Sequence, residues 1–302
     1  MFGISHLEQA KAWLRRLAQK ALGVDKQYLP YALGADDYAV LADEQNIPTG
    51  DDGLPIPPQR LWLGYAASSD EYLESGQWSV NSMQNDMEGT GMSVENCHRI
   101  LDFGCGGGRM IRWLKSYAQT AEIWGVDISA EHIFWCTQYL TPPFHFATTM
   151  TLPHLPFDDG YFDFIYAGSV FTHIDDLASA WLQELRRILK PGGRMYISLH
   201  DDHTVSIIRP EYIEQELPEV IRRTGQLRKG QKNLSRLAHA NAVYRRASAS
   251  NFNMIVYGRR HLSQVFFDID YFTTKIASNL KIVAINRESQ YFQTAVIMER
   301  KA

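Results

Sequence analysis

The residues best suited to do chemistry stand between positions 102 and 127. An apolar run, Arg99-Ile-Leu-Asp-Phe103, carries Asp102 and opens into glycines at 104, 106, 107 and 108, with Cys105 among them. Glycine adopts turns closed to other residues, and without a Cβ it lets a ligand lie against the backbone. Nineteen residues beyond Gly108 a second apolar run ends in Asp127. A carboxylate there offers two acceptor oxygens side by side, which suits the paired hydroxyls of a ribose. Two commoner nucleotide loops do not fit. A dinucleotide loop G-x-G-x-x-G needs a third glycine where Arg109 or Ile111 stands, and a phosphate loop needs a closing G-K-[ST] that is missing. The pattern is D-x-G-x-G-x-G. Asp102 disfavours a pyrophosphate and attracts an ammonium group, so the loop suits a nucleoside with an amino-acid tail.

Two more clusters carry titratable groups. Gly168-Ser169-Val170-Phe171-Thr172-His173 and His200-Asp201-Asp202-His203 each follow an apolar run. An imidazole works as a base near neutral pH, and an oxygen nucleophile must lose a proton. His173, His200 and Asp201 are therefore the candidate bases, with helix capping or packing as the plainer role for His173. Four possible ligands in a row at 200–203 invite a metal reading. Neighbouring residues point in different directions, however, and divalent ions gather ligands from separate segments, so no metal is expected. Cys105 stands where a helix N-terminus can lower a thiol pKa. The simpler reading is a small side chain in a crowded loop.

These residues need a scaffold, and the pattern supplies one. Short apolar runs at Arg99–Phe103, Ile123–Val126, Phe144–Thr148, Phe162–Ala167 and Met195–Leu199 alternate with helical stretches at Met110–Tyr117, Glu131–Leu140 and Leu177–Leu189. Such alternation predicts an α/β fold, a doubly wound, mostly parallel sheet with helices on both faces. Pro191-Gly192-Gly193 reads as a turn, and Asp158-Asp159-Gly160 as another. Ser5–Leu22 has the apolar spacing of an amphipathic helix, with Lys11, Arg15, Arg16 and Lys20 around it. It docks on its own domain or lies on a membrane face. Tyr28–Gln59 is loop-like and Leu61–Met92 helical. Residues 204–270 read as helical and irregular, and strand-like runs return at Lys281–Ile285 and Gln293–Met298.

Residues 99–200 resemble the class I S-adenosylmethionine-dependent methyltransferases. The resemblance rests on Arg99-Ile-Leu-Asp-Phe-Gly-Cys-Gly-Gly-Gly-Arg109, Trp124-Gly-Val-Asp-Ile128, Leu155-Pro-Phe-Asp-Asp-Gly-Tyr-Phe-Asp163 and Leu189-Lys-Pro-Gly-Gly193. It implies a seven-stranded Rossmann-like sheet in the order 3-2-1-4-5-7-6 with the last strand antiparallel, and S-adenosyl-L-methionine as cofactor. By position, Gly104, Cys105 and Gly106 line the methionine moiety and Asp102 stands near its ammonium. Asp127 holds the ribose, Ile128 packs on the adenine, and Gly168 and Ser169 close the site. Many relatives carry an acid beside the adenine amino group; here Thr148, Thr149, Met150 and Thr151 stand there, which shifts recognition to hydroxyls and backbone. The domain expectation is a cap over residues 1–95 and a methyltransferase core over 96–302, with 204–270 as a substrate cover.

The acceptor is less defined. Val220–Phe267 holds no Asp or Glu, yet contains Arg222, Arg223, Arg228, Lys229, Lys232, Arg236, Arg245, Arg246, Arg259 and Arg260, ten of the thirty Lys and Arg residues. That favours an anionic small molecule or glycan, or a solvated surface paired with acids such as Asp36, Asp37, Asp51 or Asp52. Tyr28, Tyr31, Trp62, Tyr65 and Tyr72 either stack on a sugar or pack the N-terminal helices. With a net charge of -4 and no nucleic-acid module, nucleic acid is not an expected partner. Apolar runs are too short to span a bilayer, and three cysteines without a C-x-x-C pair suit a cytoplasmic chain. The expected activity is methyl transfer to oxygen. A catalytically silent cofactor-binding partner, a nicotinamide-dependent oxidoreductase and an aminopropyl transferase are the rivals.

Overall fold

The computed structural model describes residues 47–209, 240–249, 251–258 and 263–301. Seven strands form one sheet in the order β3-β2-β1-β4-β5-β9-β8. They are β1 (Arg99–Phe103), β2 (Glu122–Asp127), β3 (His145–Thr148), β4 (Phe162–Ala167), β5 (Leu189–Leu199), β8 (Lys281–Gln290) and β9 (Gln293–Glu299). β1 to β5 run parallel, while β9 lies antiparallel between β5 and β8. With β8 and β9 counted as the sixth and seventh strands, this is the order the sequence implies, and the fold is a Rossmann-like α/β sheet.

Strand residues alternate between two apolar layers because successive side chains leave a strand on opposite faces. In β4, Phe162, Ile165 and Ala167 enter one core, and Phe164 and Tyr166 the other. The first core is covered by α3 (Ala178–Ile188) through Trp181, Leu182, Leu185 and Ile188. The second is covered by α1 (Ser69–Gly89) through Val80, Met83 and Met87, and by α2 (Ala130–Tyr139) through Trp135 and Cys136. Each of the two covering helices starts at a serine. Ser68 accepts from Glu71 N–H while the Glu71 carboxylate accepts from Ala67 N–H, and Ser129 accepts from His132 N–H, which satisfies donors a helix N-terminus leaves open.

Several local expectations change. The helix expected at Met110–Tyr117 is a pair of 3₁₀ turns, Ile111–Leu114 and Tyr117–Gln119. Tertiary packing sets the winding there. Gly76 of α1 lies so close that a Cβ on it would meet the Arg109 carbonyl at 2.1 Å. Arg112 is fully buried, with Asp52 accepting from Nε at 2.5 Å and from Nη2 at 2.9 Å. Asp52 is therefore committed to Arg112, not to the basic stretch. Lys190 to Gly193 extend β5 in place of a free turn, Gly192 N–H donating to the Arg300 carbonyl. The stretch 204–270 is not all helix. Beside α4 (Asp202–Ile207) and α5 (Ala240–Ala249) it carries an antiparallel pair, β6 (Met254–Tyr257) and β7 (Gln264–Phe267). Val256, Val265, Phe266 and Phe267 are the branched and aromatic residues that favour strands. The expected helix Ser5–Leu22, Tyr28, Tyr31, Asp36, Asp37 and the basic residues 222, 223, 228, 229, 232, 236, 259 and 260 lie outside the described residues. Among the described residues, no helix is long and apolar enough to cross a membrane.

Candidate functional site

The carboxyl ends of β1, β2, β4 and β5 meet at one edge of the sheet. Asp102 pairs in register with Gly125 of β2 and Tyr166 of β4, so the glycine loop and Asp127 emerge side by side. Gly104 has φ +82 and Gly106 φ +52, the left-handed region that an L side chain rarely takes. A Cβ at Gly104 would also strike Val170 Cγ2 at 2.3 Å. The loop is stapled to the second strand. Asp127 Oδ2 accepts from Gly106 N–H at 2.8 Å, and its Oδ1 accepts from Ser129 N–H at 2.8 Å. Each carboxylate oxygen has a second lone pair, so both can still receive hydroxyls.

Among the described residues, the buried polar atoms without a hydrogen-bond partner include Asp102 Oδ2, the hydroxyl of its register neighbour Tyr166, and Thr149 Oγ1. Thr149 is tied to the same strand end, its N–H donating to the Asp127 carbonyl at 2.9 Å. Buried polar atoms are nearly always paired. Orphaned polar atoms in β1 and just after β3, with the bare glycine loop and the Asp127 carboxylate between them in the sheet order, are what a nucleoside with a charged tail would satisfy, so the residues present fit S-adenosylmethionine. Burial pushes the Asp102 carboxyl up to about 7, against the downward pull of the Tyr166 hydroxyl and Arg109. Ile128 is half-buried beside Asp127, and Met150 is exposed in the loop after β3.

Cys105 is no reactive thiolate. Burial, reinforced by Cys136, Asp102 and Asp127, holds its thiol well above the ordinary range. Its Sγ and that of Cys136 both donate to the Gly106 carbonyl, at 3.6 and 3.5 Å. Together they brace the loop from below.

After β4, Ser169 takes φ +61 and sits in a polar network. Its N–H donates to Ser198 Oγ at 2.7 Å, and both hydroxyls donate to Gln293 Oε1, at 3.0 and 2.7 Å. Gly168 packs on Met110, whose Sδ a Cβ would meet at 2.9 Å. His173 is exposed, and its Nδ1 lies 2.7 Å from the Ser263 carbonyl.

His200 and Asp201 are employed differently from a solvent-facing base. The His200 ring is 2% exposed and lies between Phe266 and Phe292, at centroid distances of 4.8 and 5.5 Å. Burial, with His173 nearby, pushes its pKa down to about 3, so it stays neutral at working pH. Asp201 is the N-cap of α4. Its Oδ1 accepts from Thr204 N–H at 2.9 Å and its Oδ2 from Thr294 Oγ1 at 2.8 Å.

Two participants, Gln293 and Arg109, escape a reading of the sequence. Gln293 opens the last strand with no local signal. Arg109 and Tyr65 meet across forty-four residues, the guanidinium 4.0 Å from the ring centroid. Trp62 and Tyr72, from the same aromatic group as Tyr65, are buried and stacked at 5.3 Å, as packing of the N-terminal region requires.

Residues 101–197 match the family described as methyltransferase domain. The O-methyltransferase resE of Aspergillus sclerotiorum is 29% identical over 189 residues, covering 51% of this chain and 68% of the relative. The O-methyltransferase rstn1 of Aspergillus nomiae is 34% identical over 144 residues, covering 42% and 62%. Several other curated relatives are matched over about half their length, as with the methyltransferase GfsG of Streptomyces halstedii at 46%. A solved structure of a SAM-dependent methyltransferase from Methanosarcina mazei overlaps with a TM-score of 0.45 at 18% identity, covering 68% of this chain and 93% of that one. Loop, acid and strand order agree with the family match: residues 101–197 are similar to a methyltransferase domain of the class I type, and the residues present fit S-adenosylmethionine as cofactor.

Proposed function

We propose that this chain transfers a methyl group to an oxygen of a small-molecule acceptor, with His173 taking the acceptor's proton. The observation that carries the reading is the joint made by Asp127 with Gly106 N–H, which sets a ribose-binding carboxylate against a side-chain-free loop. The bound cofactor supplies an electrophilic methyl on sulfonium, and displacement in line asks the protein chiefly for orientation. Gly104, Cys105 and Gly106 carry the tail, Asp127 the ribose, and Ile128, Thr149 and Met150 flank the base. Gly168 and Ser169 wall the reacting end, and the Gln293 network fixes Ser169.

An oxygen nucleophile needs a proton acceptor. His200 is sealed and held neutral far below its ordinary range, and Asp201 is spent on capping. That leaves His173, whose contact with the Ser263 carbonyl favours the proton on Nδ1 and the basic pair on Nε2. Relatives named O-methyltransferases support oxygen as the target. Residues 1–95 then serve as a cap and 204–270 as the cover, and the basic residues of 222–260 favour an acceptor with anionic character.

The test is incubation of the full chain with methyl-labelled S-adenosylmethionine and a panel of phenols, enols, carboxylates and sugars, read by product mass. A labelled methyl ether or ester is expected. Transfer confined to nitrogen, carbon or sulfur acceptors would overturn the oxygen assignment.

A further inference from the structure

β6 and β7 form a two-stranded sheet of their own, and such a pair is marginal unless it packs on something else. β7 is held by the carboxyl ends of β4 and β5. Val265 N–H donates to the Thr172 carbonyl at 2.8 Å, and Phe267 N–H to the His200 carbonyl at 2.9 Å. One residue before β7, the Ser263 carbonyl lies 2.7 Å from His173 Nδ1. The carbonyl that orients His173 is therefore only as steady as the seating of this short strand.

That seating is centred on His200. Phe266 of β7 forms a parallel bridge with His200, and its ring stacks on the imidazole at a centroid distance of 4.8 Å and an angle of 27°. Phe292 stacks on the other side at 5.5 Å and 21°. Phe292 is itself anchored, its carbonyl accepting from Thr204 Oγ1 of α4 at 2.9 Å. The imidazole is a flat plate between a ring of β7 and a ring of the last hairpin. Its edges are unused: neither nitrogen has a hydrogen-bond partner, although the ring is 2% exposed and the Val265 backbone lies near. Buried polar atoms are nearly always paired. Hydrogen bonding does not account for this side chain, and its two faces do.

We infer that His200 is a positioning residue: through Phe266 it seats β7 on the strand ends, so that the Ser263 carbonyl fixes the tautomer of His173. This rests on the reading of His173 as the base and adds the device that prepares it. A hydrogen bond at one ring nitrogen decides which nitrogen carries the proton and which keeps the basic pair. With Nδ1 tied to Ser263, Nε2 is the nitrogen left to act.

The experiment reads that tautomer directly, by nitrogen NMR of the full chain labelled with 15N in its histidine rings, at about pH 8.5, where an ordinary imidazole is neutral. The signals of His173 are those that vanish in His173→Gln. Wild type should show one form, protonated at Nδ1. His200→Phe, which keeps a flat ring and removes both nitrogens, should show the same form. His200→Ala should lose it and give a mixture of the two tautomers. Phe266→Leu, which keeps apolar bulk without a flat face, should do likewise, and decides the matter if His200→Ala does not fold. A mixture in wild type or in His200→Phe, or the single form persisting in either of the other folded variants, would overturn the positioning role. Whether His173 takes the acceptor's proton is a separate question, answered by the kcat of His173→Gln.

Discussion

The carboxylate of Asp127 receives the backbone N–H of Gly106 across twenty-one residues, at 2.8 Å. One hydrogen bond thus joins the two features that the site requires, the bare loop after β1 and the acid at the end of β2. Asp127 holds Ser129 N–H with its other oxygen, so the same side chain also steadies the entry to α2. Substitution at Asp127 removes a ligand contact and loosens its frame together, and substitutions nearby separate the two effects.

The frame itself is tested at Asp52. Arg112 and Asp52 are 0% and 7% exposed in their side chains and share two bonds. Removing one partner of a buried pair strands the other charge, at about 3–5 kcal/mol. Asp52→Ala should lower stability by that order in urea unfolding. A loss below about 1 kcal/mol would show that the pair is solvated and does not anchor the 3₁₀ turns after the loop.

The pH dependence of stability separates two buried groups with opposite signs. His200 is shifted down from 6.5 to about 3; its contribution is present above pH 6.5 and lost as pH falls toward 3. Asp102 is shifted up from 3.8 to about 7; its contribution is present below 3.8 and lost as pH rises through 7. Between about pH 4 and 6.5 their slopes oppose, each at most about 1.4 kcal/mol per unit. Relative to wild type, Asp102→Asn should lose stability on acidification from pH 6.5 to 4.5, and His200→Phe should gain it. Urea midpoints that shift in parallel for all three proteins would contradict this assignment.

His173→Gln keeps size and polarity but removes the basic nitrogen. Once an acceptor is in hand, kcat should fall by about 10²- to 10⁴-fold, with S-adenosylhomocysteine affinity unchanged. An unaltered kcat would leave His173 as a residue that only ties the turn after β4 to Ser263.

The parts of this structure written in local pattern were legible in the sequence. Phe162–Ala167 appears as β4 with the bounds its apolar run suggests, and the D-x-G-x-G-x-G stretch sits where a strand turns into a loop. What depends on distant partners was not legible. Met110–Tyr117 has helical spacing, but the approach of Gly76 and the burial of Arg112 wind it more tightly. Met254–Tyr257 and Gln264–Phe267 are too short and too far from the other strands to suggest a pair until they meet. His200 and Asp201 looked alike as bases on a strand end; two phenylalanine rings and two threonines distinguish them. Arg109 drew no notice beside the glycines because its meaning lies in Tyr65 and Ser79.

The central claim is most directly tested by titrating S-adenosylhomocysteine into the wild-type chain and Asp127→Ala in a calorimeter, with Asp127→Asn as the variant that keeps one acceptor for Gly106. Saturable one-to-one binding to wild type is expected, weakened by about one to two orders of magnitude in Asp127→Ala through lost charge-assisted bonds. Absence of binding to the wild type, or equal affinity in a folded Asp127→Ala, would contradict the account.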